Sequence, residues 1–102
     1  MFVLGGDAVA AEATVREDEG LTAVIARERA DELGLSYDYV AAWITLRVAS
    51  TLEQVGLTAL FSRALADAGI SCNVLAGVHH DHLLVPADRA DEALELLRGL
   101  RW

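Results

Sequence analysis

Residues 70–86 read ISCNVLAGVHHDHLLVP: two apolar runs joined by a connection too short for a crossover. The two runs must therefore be antiparallel neighbours. With the turn centred between Val78 and His79, Leu75 lies opposite His82, Val74 opposite Leu83 and Cys72 opposite Val85. Directly opposed residues share a face. One face then carries Ile70, Cys72, Val74, Leu83 and Val85, all apolar, and the other carries Ser71, Asn73, Leu75, His80, His82 and Leu84. A slip of one residue mixes the two sets, so the binary pattern selects this register. The apolar face is the one that helices must cover.

All three histidines of the chain, His79, His80 and His82, sit in this turn around Asp81. The register separates the groups a metal would need. Cys72 points into the helix layer, His80 and His82 point away from it, and Asp81 points opposite to both. Two imidazoles fall short of the three or four protein ligands of a zinc site, so no metal is expected. His80 and His82 read either as hydrogen-bonded residues of a polar hairpin tip or as ligand contacts. Cys72 reads as a small core residue, since a catalytic thiol needs exposure and an adjacent base. No nucleophile elbow, phosphate loop or dinucleotide fingerprint occurs. No catalytic residue and no cofactor are expected.

Upstream, WITLRVAS alternates, with Ile44, Leu46 and Val48 on one face and Trp43, Thr45 and Arg47 on the other, as in a half-buried strand. STLEQVGLTALFSRALADAG then turns to helical period, its stripe running through Val55, Leu57, Leu60, Phe61, Ala64, Leu65 and Ala68. Thr51 with Gln54 resembles a capping box, and Gly69 ends the helix. ADRADEALELLRGL gives a last helix, with Ala90, Ala93, Leu94 and Leu97 on one face, Asp88 as N-cap and Gly99 at its end. The order is strand, helix, strand, strand, helix. Before it, ATVRE and GLTAVIA form a hairpin through Asp18-Glu19-Gly20, and RERADELG a short helix stopped by Gly34. This ββα piece echoes residues 70–99 and points to an incomplete internal repeat, with units at 1–40 and 41–102.

The chain has 102 residues, of which 54% are hydrophobic, and a net charge of −8 from 8 basic and 16 acidic residues. One small domain has too much surface to bury that many apolar side chains alone, so a homo-oligomer, a dimer in the simplest case, is expected. The acidic balance and the absence of any basic run argue against nucleic acid and against an anionic membrane surface. No stretch reaches the roughly 18 apolar residues of a membrane span. A single cysteine is consistent with a reducing cytoplasm. ASTLEQVGL places backbone N–H groups at Val55 to Leu57 at a helix start, where carboxylates or phosphates bind readily and Gly56 allows close approach. An ordinary capped helix is the other reading of the same residues.

A strand, a loop ending in VGL, a helix ending in AGISCNV, a hairpin and a second helix after VP together resemble the ACT domain. ITLRVASTLEQVGLTALFSRALADAGISCNVLAGVHHDHLLVPADRADEALELL is similar to small stand-alone bacterial ACT proteins, relatives of the ACT repeats of aspartate kinases and of eukaryotic arginine sensors. EDEGLTAVIARERADELGL resembles the first half of the same group. The resemblance implies an α+β fold, a ferredoxin-like βαββαβ sandwich with helices on one face of an antiparallel sheet, preceded by a partial ACT-like ββα unit. It also implies pairing of ACT units and a ligand at their interface. On this sequence those ligand positions are Ser50, Thr51, Glu53, Val55, Gly56, Leu57 and Asn73, to which the hairpin adds His80 and His82. ACT domains carry a fourth strand after the second helix, whereas this sequence stops at GLRW. The relatives also have a longer N-terminus, of which MFVL is the remnant. The expectation is a non-catalytic sensor of a small molecule, an amino acid by resemblance; the alternative is a self-associating structural module that binds no small ligand.

Overall fold

The computed structural model describes residues 2–4, 11–47 and 55–101 of the chain. The chain divides into two compact units, residues 1–40 and 41–102.

The first unit holds β1 (Phe2–Leu4), β2 (Ala13–Glu17), β3 (Gly20–Val24) and α1 (Arg27–Glu32). Its strands form an antiparallel sheet in the order β1-β3-β2, with Glu17 opposite Gly20 across the Asp18-Glu19 turn. Ala23, Ile25 and Ala30 make a small core, flanked by Ala11, Leu35 and Tyr37. Gly34 ends α1 at φ +68. There Leu35 N–H donates to the Ala30 carbonyl at 2.9 Å and Gly34 N–H to the Asp31 carbonyl at 3.2 Å. These two bonds satisfy carbonyls the helix leaves open, and the left-handed residue between them favours glycine.

The second unit holds β4 (Ala41–Leu46), α2 (Leu57–Asp67), β5 (Asn73–Ala76), β6 (Asp81–Pro86), a 3-10 turn at Ala87–Arg89 and α3 (Ala90–Arg98). The strands form an antiparallel sheet in the order β4-β6-β5. The hairpin register pairs Leu75 with His82 and Val74 with Leu83, as the binary pattern requires. Cys72 lies one residue before β5, so its pairing with Val85 falls outside the ladder. β4 joins the other side of β6, with Ile44 opposite Leu83 and Thr45 opposite His82. The arrangement is α+β and ferredoxin-like. Among the described residues no fourth strand lies beyond β4.

α2 and α3 cover one face of this sheet. Ile44, Leu46, Phe61, Leu65, Ile70, Leu83, Val85, Ala93 and Leu97 form the core, with Cys72 and Val74 packed at its margin. Phe61, Leu65 and Leu83 have no exposed surface, and each contributes about 1.5–3 kcal/mol by leaving water. The other face is not bare: Leu84 in the middle strand is also fully buried, set between Trp43 and Asn73 in the ladder.

Three local expectations are corrected. α2 begins at Leu57 with Gly56 as N-cap, so Thr51 does not cap it; Thr51 and Gln54 lie outside the described residues. The physical reason is Gly56, which turns the chain at φ +100 where a continuous helix cannot pass. Val55 is consequently 94% exposed, not part of the buried stripe, and Leu60 is exposed at the stripe's edge. Asp88 does not cap α3, because the chain first makes the 3-10 turn and Arg89 occupies the N-cap. The end of α2 does follow its signal: Ile70 N–H donates to the Leu65 carbonyl at 2.9 Å around Gly69, whose φ is +72.

Candidate functional site

The start of α2 is capped by backbone alone. Gly56 makes no side-chain hydrogen bond, and the first helical bond runs from Leu60 N–H to the Gly56 carbonyl at 3.0 Å. The N–H groups of Leu57, Thr58 and Ala59 therefore precede the helical ladder and have no acceptor among the described residues. This shifts the open amides two residues along the chain from Val55, although Leu57 belongs to both sets. A Cβ placed on Gly56 meets no described residue within 4 Å, so among these residues only the sign of φ requires glycine. Ser50, Thr51 and Glu53 lie outside the described residues.

One contact at the far end of α2 places this helix start. Arg89 Nη2 donates to the Ala68 carbonyl at 3.0 Å, which ties the end of α2 to the Pro86 end of the sheet. At the other end of the sheet Leu46, Asp81 and Ala76 stand in one row. α2 thus starts at the same end as the turn between β5 and β6, and the structure brings Gly56 and the histidine hairpin to one end of the unit. Asn73 is different. It is exposed on the face away from the helices, in the row of Trp43 and Leu84, three strand positions or about 10 Å from the Ala76 row. It shares that face with His82, not with the helix start.

The hairpin closes through Gly77 N–H, which donates to the His80 carbonyl at 2.9 Å. A Cβ on Gly77 would stand 2.8 Å from that same oxygen, so the turn depends on glycine there. His82 Nδ1 lies 3.1 Å from Thr45 Oγ1, and the Trp43 indole N–H donates to the same hydroxyl at 3.2 Å. The rings of Trp43 and His82 are 5.2 Å apart. The hydroxyl can donate to a bare Nδ1 or accept from a protonated one, so it serves the ring in either state. His82 is accordingly a hydrogen-bonded, half-buried residue. His80 Nδ1 is buried with no partner among the described residues, while its ring faces that of His79 at 6.4 Å.

Asp81 falls on the helix-side face with Leu46 and Ala76, opposite to His82. Burial pushes the Cys72 thiol above its ordinary pKa, which keeps it protonated. Among the described residues no three His, Cys, Asp or Glu side chains converge on one point where a metal ion could sit. In the first unit a cleft of about 580 Å³ is walled by Glu17, Glu19, Asp38, Tyr37 and Tyr39. Glu17 there accepts the Thr22 hydroxyl, and Tyr37 donates to Asp31 at 2.7 Å while accepting from Arg27 at 3.3 Å. Its carboxylates repel an anionic ligand.

Two participants are not evident from the hairpin. The pairing of β4 with β6 brings Thr45 against His82, a contact 37 residues apart whose only signal is the shared alternation of Trp43, Thr45 and Arg47. The Arg89 bond to α2 has no sequence signal beyond a basic residue near a helix start.

An ACT-domain family model matches residues 39–99, and a second ACT-domain model matches residues 3–42. The crystal structure of a protein of unknown function from Vibrio cholerae, a possible transport protein, is similar at a TM-score of 0.86 and 44% identity. The match covers 94% of this chain and 78% of that one. No curated protein matches the chain. Among the described residues no helix is long and apolar enough to cross a membrane.

Proposed function

The chain belongs to the ACT-domain family, whose members are in general regulatory modules that bind small molecules, and from that premise we propose that it is a non-catalytic sensor of an amino acid. The ligand lies at an interface between two ACT units of a cytoplasmic homodimer. Its α-carboxylate takes the N–H groups of Leu57, Thr58 and Ala59, and the positive end of α2 adds to the attraction. Ser50, Thr51, Glu53, Val55 and Gly56 line the approach, and the hairpin residues His80 and His82 reach the ligand from the second unit of the pair, since His82 lies on the face away from the helices. Asn73, set apart on the open face, meets the ligand only where a second unit packs on that face. The first forty residues act as a partial ACT-like unit.

The observation that carries this reading is the backbone-capped helix start, with Gly56 in the left-handed region, no described residue within 4 Å of a Cβ there and Val55 94% exposed. Binding couples to assembly because a ligand held by two units stabilises their pairing by mass action. Val55→Asp tests it, since the side chain bears no packing but sets a carboxylate beside the amides. Calorimetric titration is expected to show amino-acid binding by the native chain and about a tenfold or greater loss in the variant. Equal affinity of the two refutes the site.

A further inference from the structure

The second unit carries another cavity, of about 280 Å³, between the free side of β4 and the last two turns of α3. Its floor is apolar: Ile44, Leu46 and Leu97 are at most 9% exposed, and Leu94 adds a half-buried side chain. Its rim holds two guanidinium groups, Arg47 at the end of β4 and Arg98 in the last turn of α3. Thr45 also borders it, but its hydroxyl is committed to Trp43 and His82.

Four of the other arginines are engaged by partners. Arg27 meets Tyr37, Arg29 meets Glu32, Arg63 meets Asp67 and Arg89 meets Glu92. Arg47 and Arg98, like Arg16 and Arg101, have no hydrogen bond or ion pair among the described residues, in a chain with twice as many acidic as basic groups, and these two stand together at one apolar cavity. Among the described residues no carboxylate lines the cavity. The volume is at the small end for a ligand site, equal to roughly nine waters at about 30 Å³ each.

We infer that this cavity binds a short-chain apolar carboxylic acid, its carboxylate held between Arg47 and Arg98 and its aliphatic tail on Ile44, Leu46, Leu94 and Leu97. Guanidinium groups match a carboxylate through paired N–H donors, and the branched apolar floor matches a hydrocarbon tail. The lining offers nothing anionic to an α-ammonium group, so the site prefers an acid without one over the corresponding amino acid. The site is separate from the start of α2 and does not depend on the sensor reading above.

The test is methyl-resolved NMR of the full chain with 4-methylpentanoate, its amide and leucine as probes. Saturable shifts are expected at the methyls of Ile44, Leu46, Leu94 and Leu97 with the acid, and about tenfold weaker binding of the amide and of leucine. Arg47→Gln and Arg98→Gln should each weaken the acid about tenfold, while Arg63→Gln leaves it unchanged. No shifts at tens of millimolar acid overturn the inference. So does equal binding of the amide, which marks apolar partition alone, or an equal loss in Arg63→Gln, which marks diffuse attraction of anions.

Discussion

Thr45 and His82 stand directly opposite each other on β4 and β6, with Oγ1 3.1 Å from Nδ1. The same hydroxyl accepts the indole N–H of Trp43 at 3.2 Å, so one side chain satisfies two ring nitrogens on the face away from the helices. Thr45→Val keeps the shape and the strand preference and removes only the oxygen. It should cost about 1 kcal/mol, a fall in Tm of about 4–8 °C for a domain this size. An unchanged melting curve would show that the oxygen contributes nothing.

Gly77 and Gly99 make a contrasting pair. Alanine at 77 sets a methyl 2.8 Å from the His80 carbonyl and forces the hairpin open, at about 1–3 kcal/mol. At 99 the nearest atoms are 3.6 Å away and φ is −82, so alanine is accommodated and narrows the unfolded ensemble, a gain of about 0.4–1 kcal/mol. Chemical denaturation of the two variants should move the midpoint in opposite directions. A shift in the same direction contradicts the turn geometry.

How much of this was legible follows the same division. The β5–β6 register was readable because Val74, Leu83 and Val85 on one side and Asn73 and His82 on the other allow one alignment only. The stops of α1 and α2 were readable because Gly34 and Gly69 each supply the left-handed residue. The start of α2 was not, because Thr51 and Gln54 carry a capping signal that Gly56 overrides through a backbone angle no side-chain pattern reveals. The place of Asn73 away from the helix start was equally hidden, since strand alternation assigns a face but not a distance along the sheet. Ser50, Thr51 and Glu53 lie outside the described residues.

Arg89 joins two helices. Its Nη2 serves the Ala68 carbonyl and its Nε donates to Glu92 at 2.8 Å. Arg89→Met keeps the aliphatic stem and leaves that carbonyl unserved, so about 1–2 kcal/mol should be lost. The same bond holds the Glu92 carboxyl below its ordinary pKa. A depressed folded value means the contribution is present above the unfolded pKa and lost as pH falls through the folded one. The stability difference between the native chain and Glu92→Gln should therefore vanish in acid. Added salt should shrink it as well, since the pair is exposed. A difference that ignores pH contradicts the ion pair.

Cys72 offers a second titration of opposite sense. Burial raises its pKa, favouring the neutral thiol in the fold. That contribution is present below the unfolded pKa and is lost as pH rises through the folded value. Alkylation by iodoacetamide at mildly alkaline pH should be slower for the folded chain than for the chain in urea, because the thiolate is the nucleophile. Equal rates would place the sulfur in water.

The most direct test of the sensor is a thermal-shift screen against the proteinogenic amino acids at millimolar concentration. One of them should raise Tm selectively, with about 2.7 kcal/mol of added stability at a hundredfold excess over its dissociation constant, and Val55→Asp should abolish the effect. If no amino acid moves the melting point of the native chain, the chain is not an amino-acid sensor.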